Sequence, residues 1–565
     1  MKASATVAQK TDLQGVRGHL AQLHEQGRAD EALELVMDLL GRLCDENLRL
    51  SLEVFKLLKQ HSGRRSEGIS TEQLDLFLQK LGQTEAGSTD EASAADTEPS
   101  AAEAEVDKPP RVRRKKRPKR RKLPVHLPRD ETILPVPDEQ RRCEEHGEKT
   151  PIGYEDSEVL HFKPASFWVE VLRREKLVCR PCEGSIVVAP PANKVVEGGI
   201  AGPGLIADLL IGKFRDHLPV NRQLRRYRRL DVKLASSTVS DWIGQGADLL
   251  EPLYKLEGEL VLQAFLLQTD DTALKVRDRS HPGNIKRGAM WVHVGDFRHC
   301  YVIYTPSKEY KDGDNDALEY LKGRKGYIQA DAFPGYDTVF EVPGSEAIEV
   351  GCWMHGRRYF VTALDSGDLR AAIPLKLIKG MYEVEEQATK ARASPEQRLA
   401  LRKEHSEPKL HELGHWIAEH YQAERPKSPL AKAMGYALNQ WDALCRPFED
   451  GRLPLDNGES ERRIRDIAMG RRNYLFAGSD TGARRAAIVY SVLGGCVLND
   501  IEPWAYLTDV IQRIVDGWPM AHLAQLLPAN YAATLAAEAE AKSALHQTSA
   551  SVRPASPRLA AHPSR

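Results

Sequence analysis

The sequence predicts a multidomain α/β protein whose largest domain is built around a mixed β-sheet. The chain has 565 residues, and at roughly 150 residues per domain this length suggests three or four domains. Five short apolar runs have the length of strands, and one helical stretch lies between the third and the fourth. The runs are Leu262–Gln268, Ala289–Val294, Cys300–Tyr304, Gly326–Ala330 and Ala347–Gly351, and the helical stretch is Asp316–Lys322. A three-strand meander followed by helix, strand, helix and strand indicates a mixed sheet.

The composition excludes several classes of protein. Hydrophobic residues make up 41% of the chain, but no window approaches the ~18 uninterrupted apolar residues of a membrane helix. The first ten residues lack the basic and then apolar run of a signal peptide. Eight cysteines are too few for a disulfide scaffold. We therefore expect a cytoplasmic protein without a membrane partner.

The amino-terminal part predicts a helical leader, residues 1–83, and a charged linker, residues 84–140. Residues 29–60 have apolar positions at helical spacing, which leaves a coiled coil and a docked amphipathic helix open. Residues 85–107 hold eight acidic residues and no basic one, and ten of the twelve residues 111–122 are Lys or Arg. The basic run includes Arg113, Arg114, Lys115 and Lys116. It predicts a flexible arm that neutralises DNA phosphates; the alternative is a solubilising tail.

A zinc site is predicted in residues 141–186. Cys143 and His146 form one pair separated by two residues, and Cys179 and Cys182 form another. Each spacing allows one turn to present two ligands, and four protein ligands leave no open position, so one Zn²⁺ ion would be structural. The alternative is three unrelated cysteines and a surface histidine.

Residues 187–257 predict a helical DNA-binding domain. Three segments have the length of short helices: Pro203–Phe214, Pro219–Leu230 and Ser236–Gln245. The middle segment carries Arg225 and Arg226, and Ser237 lies in the sequence Ser236-Ser237-Thr238, which is typical of a helix cap. A helix–turn–helix places one helix on the phosphates and the next in the major groove. The alternative is an ordinary three-helix domain with a solvated basic face.

Acidic residues follow two of the predicted strands. Asp270 and Asp271 follow the first strand, and Asp331 follows the fourth. In a sheet of this order the first and fourth strands are neighbours, so these acids could share a divalent ion. A third acid is available in the segment 456–463. Hard oxygen ligands suit Mg²⁺ or Mn²⁺, although an acid after a strand is also common as a helix cap.

Several blocks of the sequence, in order along residues 30–530, resemble the insertion sequence 66 family of bacterial DDE transposases. They are His61–Glu67, Glu72–Leu74, Leu127–Arg129, Thr269–Thr272, Gln329–Asp331, Gly335–Asp337, Cys352–Phe360 (CWMHGRRYF), Leu455–Asn457, Glu461–Arg462 and Gly470–Ser479. The resemblance implies an RNase H-like catalytic core, residues 258–500, with a metal triad that falls on Asp270, Asp331 and Glu461. It also implies the helical leader, the zinc-binding domain and a short carboxyl-terminal helical domain, residues 501–545. We expect residues 546–565, which follow this domain, to be a disordered tail.

The triad would hold two Mg²⁺ (or Mn²⁺) ions. Asp331 and Glu461 are 130 positions apart, so a helical insertion is expected at about 365–450. Arg471 and Arg472 would place cations beside the third carboxylate, where a phosphate backbone should lie. The implied partners are double-stranded DNA, as element ends and target, further copies of the chain on DNA, and accessory proteins encoded by the same element.

The sequence departs from the family pattern at three positions. His146 stands where the family usually has Cys, Asp271 where it has Glu, and Gly458 where it has Asn. None of the three is a presumed ligand of the catalytic metals. Two alternatives to an active transposase remain: a decayed or domesticated DNA-binding protein without catalysis, and a ribonuclease of the RNase H type.

Overall fold

The computed structural model describes most of the chain from residue 193 onward and short parts of what precedes it. The described residues are 13–26, 28–39, 74–75, 77–78, 142–143, 147–148, 167, 176–177, 187–188, 193–197, 199–308 and 316–551. The chain divides into two compact units, one formed by 91–189 and the other by 1–90 with 190–565. No helix within the described ranges is long and apolar enough to cross a membrane.

The amino-terminal elements are short. Helix α1 is Leu13–Glu25, and residues 29–39 are helical; the rest of the predicted helix 29–60 lies outside the described residues. The unit 91–189 contains two antiparallel pairs of two-residue strands. These are β1 (Arg142–Cys143) with β2 (Gly147–Glu148), and β3 (Lys176–Leu177) with β4 (Val187–Val188).

Four helices precede the main sheet. They are α2 (Pro203–Phe214), α3 (Val220–Arg228), α4 (Ser236–Leu249) and α5 (Glu251–Gln263). The first three correspond to the segments predicted from helical spacing. Ala235, and not a serine, occupies the N-cap position of α4, and no side chain caps this helix. The expected serine cap is therefore wrong, because the serines are already inside the first turn.

The main sheet has five strands in the order β7-β6-β5-β8-β9. The strands are β5 (Leu266–Arg277), β6 (Ile285–Gly295), β7 (His299–Thr305), β8 (Lys325–Gln329) and β9 (Glu346–Val350). Strands β5, β6 and β7 are antiparallel, whereas β8 runs parallel to β5 and β9 parallel to β8. Helices α6 (Asp316–Lys322) and α7 (Asp337–Phe340) belong to the crossover connections. The prediction that the first and fourth strands are neighbours is confirmed.

The two faces of the sheet pack into different cores, because successive strand residues point to opposite sides. On one face, residues such as Val276 and Val292 pack with α2, α4 and the carboxyl-terminal helices. On the other, Trp291 and Ile328 pack with α6 and α7. The helices predicted as a DNA-binding domain therefore share one hydrophobic core with the sheet.

Six helices lie in the sequence between the last strand of the sheet and the segment of the third acid, and most of them fall in the expected insertion. They are α8 (Trp353–Asp365), α9 (Ala372–Lys390), α10 (Pro395–Leu401), α11 (Glu407–Tyr421), α12 (Pro429–Asn439) and α13 (Trp441–Cys445). They build a core of their own, which also takes in Leu74 and Phe77 from the leader. The helical content of the expected insertion at 365–450 is thus observed.

The chain then returns to the first face of the sheet. Four helices follow: α14 (Gly458–Tyr474), α15 (Asp480–Leu498), α16 (Pro503–Val515) and α17 (Pro528–Ser551). Helix α14 lies over β5 and β6, so the third acidic segment faces the strand that carries the first. Helix α17 continues six positions into the tail expected from residue 546.

Candidate active site

Asp270 and Asp331 occupy corresponding positions along two neighbouring parallel segments, Asp270 within β5 and Asp331 two residues beyond the end of β8. Gln268 of β5 is paired in register with Gln329 of β8, and each aspartate follows its glutamine by two residues. The strand boundary predicted from sequence is wrong. Asp270 does not follow the first strand but lies inside it, because the ladder with β6 continues as far as Arg277.

These two carboxylates lie in a buried and electrostatically unfavourable environment. Burial, reinforced by the negative charge of Asp331, raises the pKa of Asp270 to about 7, although the backbone N–H of Asp271 donates to its Oδ1 at 2.7 Å. Asp331 Oδ1 is buried and accepts no hydrogen bond from any described residue. Two close carboxylates with an unsatisfied oxygen favour a bound cation, because a cation lowers the energy of both ionised forms.

The negative charge of the Asp271 carboxylate is paired with a nearby lysine, unlike that of Asp270. Lys308 Nζ lies 2.7 Å from Asp271 Oδ1, and side chains at consecutive strand positions point to opposite faces. The departure from the family pattern at this position therefore leaves the Asp270 side of the strand unchanged.

Glu461, the predicted third ligand, lies in the first turn of α14 beside two basic side chains of α8. His355 Nε2 is 3.1 Å from Glu461 Oε1, and Arg358 Nη2 is 3.7 Å from the same oxygen. His355, followed by Arg358, lowers the pKa of the Glu461 carboxyl. His355 and Arg358, both from the CWMHGRRYF block, are therefore partners of Glu461.

The three predicted ligands do not form a closed metal group. Among the described residues, no three His, Cys, Asp or Glu side chains are close enough to hold one ion. Asp270 and Asp331 form one half of the site, and Glu461 with His355 forms the other. His355 links the halves, since its charge also acts on Asp270.

A buried polar network fixes the strands that carry the two aspartates. Gln268 Nε2 donates to Gln329 Oε1 at 2.9 Å and also to the backbone oxygen of Asp456. Gln329 Nε2 donates to the backbone oxygen of Pro454 at 2.8 Å. Both glutamine side chains are essentially inaccessible to solvent. Sequence reasoning missed this network, although the shared spacing of a glutamine two positions before each aspartate was visible.

Asn457 connects the same network to the start of α14. Its Nδ2 donates to the backbone oxygen of Thr269 at 3.1 Å, and its Oδ1 accepts from the Cys352 thiol. Next to it, Asp456 Oδ2 accepts from the Tyr382 hydroxyl at 2.8 Å. The Leu455–Asn457 block therefore positions the helix of Glu461 against the strand of Asp270.

The residues predicted to contact DNA from the helical block differ in their surroundings. Arg225 on α3 and Ser237 on α4 are exposed. Arg226 forms an ion pair with Asp208 of α2 and lies over the ring of Tyr227. This side chain therefore joins two helices.

The two arginines near the end of α14 also differ. Arg471 Nη1 donates to the backbone oxygen of Ala273 in β5, so it ties the helix to the strand. Arg472 is exposed in the last turn.

The remaining predicted sites lie largely outside the described residues. Cys143 ends β1, and Cys179 and Cys182 fall in the sequence between β3 and β4. His146, Cys179 and Cys182 are not described, and the basic run with Arg113, Arg114, Lys115 and Lys116 is not described either.

Four family models match the chain in sequence order. The model described as "Transposase IS66 family" matches residues 198–485, and "IS66 C-terminal element" matches 491–529. The model "Transposase C of IS166 homeodomain" matches 49–132, and "zinc-finger binding domain of transposase IS66" matches 140–183. The last range includes all four predicted zinc ligands.

Curated relatives match over most of their length. The uncharacterized protein y4hP of Sinorhizobium fredii is 31% identical over 504 residues, which cover 85% of this chain and 88% of the relative. The uncharacterized protein y4qI of the same organism is 30% identical, with 75% of this chain and 79% of the relative covered. No solved structure matches the chain. With family models matched from residue 49 to residue 529, the chain belongs to the IS66 family of transposases.

Proposed function

We propose that this chain is a DDE transposase that binds the terminal inverted repeats of its insertion sequence and catalyses metal-dependent DNA cleavage and strand transfer. Family membership supports a transposase that binds and cleaves DNA. The observation that carries this proposal is the register of β5 and β8, which gives Asp270, within β5, and Asp331, just beyond β8, corresponding positions. Glu461 lies on α14, the helix that packs over β5.

The strand order supports an RNase H-like catalytic core. Three antiparallel strands are followed by two parallel ones, and the first strand lies at the centre of the sheet. In this order the end of β8 lies beside the first residues of β5, and acids from distant parts of the sequence can converge just beyond this pairing. The insertion between β9 and α14 leaves this arrangement intact.

The residues present fit a pair of divalent cations. Asp270, Asp331 and Glu461 offer only oxygen donors, which Mg²⁺ and Mn²⁺ prefer. The buried Asp331 oxygen without a described donor and the raised pKa of Asp270 both indicate a site that favours positive charge. When bound, two such ions supply an activated nucleophilic oxygen and stabilise the leaving oxygen of the phosphodiester.

The chain's own groups would then orient the third ligand and the DNA. His355 and Arg358 hold Glu461 in its ionised form, so it is available as a ligand without first losing a proton. Arg472 is exposed in the last turn of the Glu461 helix and would bind a phosphate of the cleaved strand.

DNA recognition would be divided among three regions. The basic run 111–122 would contribute affinity without sequence preference, since a flexible arm reaches only phosphates. Arg225 would contact the backbone, and Ser237 at the exposed start of α4 would lie on the groove-reading helix. Arg226 and Arg471 would act mainly by positioning these helices, because each already has a protein partner.

The zinc finger would be structural. The family match over residues 140–183 supports one zinc ion, and we propose Cys143, His146, Cys179 and Cys182 as its ligands. A site with three thiolates and one imidazole is chemically normal for zinc.

Alanine substitution of the three carboxylates tests the proposal. Cleavage of DNA that carries the element ends, in the presence of Mg²⁺, should be abolished in Asp270→Ala, Asp331→Ala and Glu461→Ala, while DNA binding is retained. Glu459→Ala is the matched control, because Glu459 lies on the same helix but pairs with Arg462. Binding of end DNA without cleavage by the unmodified protein would instead favour a non-catalytic, decayed transposase.

A further inference from the structure

A groove of about 700 Å³ opens on the insertion helices. It lies among α8, α11 and α12, and its lining includes Tyr359, Tyr421 and Tyr436, one from each helix. We call it the tyrosine groove. Its volume falls within the range of small-molecule sites, which is roughly 300–1,000 Å³.

The tyrosines present ring faces that are accessible from solvent. Tyr359 and Tyr421 are 42% and 39% exposed, which is unusual for large aromatic side chains. The rings of Tyr359 and Tyr436 are stacked, with centroids 4.7 Å apart and an interplanar angle of 29°. The half-buried Tyr436 ring therefore supports one face of Tyr359.

The groove is positively charged. Two lysines line it, Lys427 and Lys432, and neither forms an ion pair with a described residue. The acid in the lining, Glu424, is 2.8 Å from Arg370, which also pairs with Asp368, so the lining holds two lysines against one acid. Exposed aromatic rings next to lysines are the combination that binds single-stranded nucleic acid, since every base has a stacking face and every nucleotide has a phosphate.

The tyrosine groove begins beside the candidate active site. Tyr359 follows His355, the partner of Glu461, by four positions on α8, which is about one helical turn or ~6 Å along the axis. The Tyr436 ring packs against Gly356, the residue that follows His355 in α8. A DNA strand whose phosphate lies at the carboxylates can therefore reach the groove within a nucleotide or two.

We propose that the tyrosine groove binds an unstacked nucleobase of the DNA strand held in the active site, by stacking on Tyr359 and Tyr421 and by contacts of Lys427 and Lys432 with the adjoining phosphates. The inference rests on the proposed function, because that function places a DNA strand at Asp331. Holding one base out of the stack fixes the neighbouring phosphate and distinguishes a frayed or cut end from continuous duplex.

Two probes separate stacking from phosphate contacts. The full chain, without Mg²⁺, is titrated with a short oligodeoxythymidylate and with an abasic oligomer of the same length, both labelled with fluorescein. The unmodified protein should bind the base-bearing oligomer on the order of tenfold more tightly than the abasic one. Tyr359→Ala and Tyr421→Ala should lose this preference, and Tyr359→Phe should keep it. Lys427→Ala and Lys432→Ala should weaken binding of both oligomers by similar factors.

The control is Phe297→Ala, which removes another exposed ring outside the groove and should change neither affinity. Equal binding of the two oligomers by the unmodified protein, or an unchanged preference in Tyr359→Ala, overturns the inference. A shift of the tyrosine variants from a dimer to a monomer in light scattering, with DNA binding unchanged, also overturns it, because the groove would then be an interface between copies.

The same measurements separate this inference from the proposed function. If the protein shows a tyrosine-dependent base preference but never cleaves DNA, the nucleobase site is supported and the proposed DNA cleavage and strand transfer are refuted. Normal cleavage without any base preference would refute the nucleobase site alone. Photocrosslinking of an oligomer that carries 5-iodouracil should place the adduct on Tyr359 or Tyr421, and an adduct confined to other residues contradicts the assignment.

Discussion

Replacing Asp270 by Asn should stabilise the metal-free protein at neutral and alkaline pH. The ionised carboxylate is buried close to Asp331 and has a pKa of about 7, against about 4 in an unfolded chain. At about 1.4 kcal/mol for each tenfold change in the protonation equilibrium, ionising Asp270 costs the folded state about 4 kcal/mol above pH 7. An amide carries no charge, and its oxygen can still accept the hydrogen bond from the Asp271 N–H.

The stability that Asp270→Asn gains over the unmodified protein should increase with pH. Because the folded-state pKa is raised, the native protein holds a proton between about pH 4 and pH 7 that the unfolded chain has already lost. The stability of the unmodified protein therefore falls as the pH rises through this window and is constant above it, as far as Asp270 is concerned. The advantage of Asp270→Asn should be absent near pH 4 and complete near pH 8.

Thermal unfolding followed by tryptophan fluorescence measures this difference. Buffers should lack added divalent cations, but also chelators, which would strip the zinc finger. We expect Asp270→Asn to unfold several degrees higher than the unmodified protein at pH 8, and Asp271→Asn to gain less, since Lys308 already compensates that charge. Added Mg²⁺ should stabilise the unmodified protein and not the Asp270→Asn variant. Equal or lower stability of Asp270→Asn at pH 8 would refute the account of Asp270 as an electrostatically costly ligand.

Three further substitutions test other parts of the structure. Asn457→Ala should lower the free energy of unfolding by about 1–3 kcal/mol, because it leaves buried partners unsatisfied, and should reduce cleavage more than DNA binding; intact cleavage would exclude a positioning role. Arg402→Leu should lower the free energy of unfolding by about 1–3 kcal/mol, because the backbone oxygens of Pro447 and Asp450 lose a donor and Glu385 keeps only Arg398; urea unfolding should show a smaller loss in Arg398→Leu, whose side chain is more exposed than the fully buried Arg402, and an equal loss in the two variants would contradict this. Cys179→Ser should lose the zinc ion detected by elemental analysis, and full zinc occupancy in this variant would remove Cys179 from the ligand set.

Much of the sheet was predictable from local pattern. The helix Asp316–Lys322 is confirmed at both ends, and four of the five strands differ from their predicted ranges by a few residues. The first strand was displaced toward the amino terminus. Its predicted start, Leu262, belongs to the end of α5, since a short apolar run does not distinguish a buried helix end from a strand. The part of β5 that lies beyond the predicted end, residues 269–277, contains Asp270 and Asp271, which disfavour strands, and only the long ladder with β6 imposes strand structure there.

The proposed ligands of the candidate site, Asp270, Asp331 and Glu461, come from sequence motifs, whereas the residues that position them were found only in the structure. The glutamines that align the two strands, and Asn457, stand beside the motif residues in the sequence, but their buried hydrogen bonds were not predictable because a single buried polar residue has no periodicity. The pairing of His355 with Glu461, and the tyrosine groove, depend on how α8 packs against α12 and α14. Such contacts join residues far apart in sequence.

The most direct test of the central claim, that Asp270, Asp331 and Glu461 together hold the catalytic cations, is a count of bound Mn²⁺ by electron paramagnetic resonance. The account predicts about two Mn²⁺ ions per unmodified chain, fewer in Asp331→Asn and Glu461→Gln, and an unchanged number in Glu459→Gln. The same number of tightly bound ions in Asp331→Asn and Glu461→Gln as in the unmodified chain would contradict it.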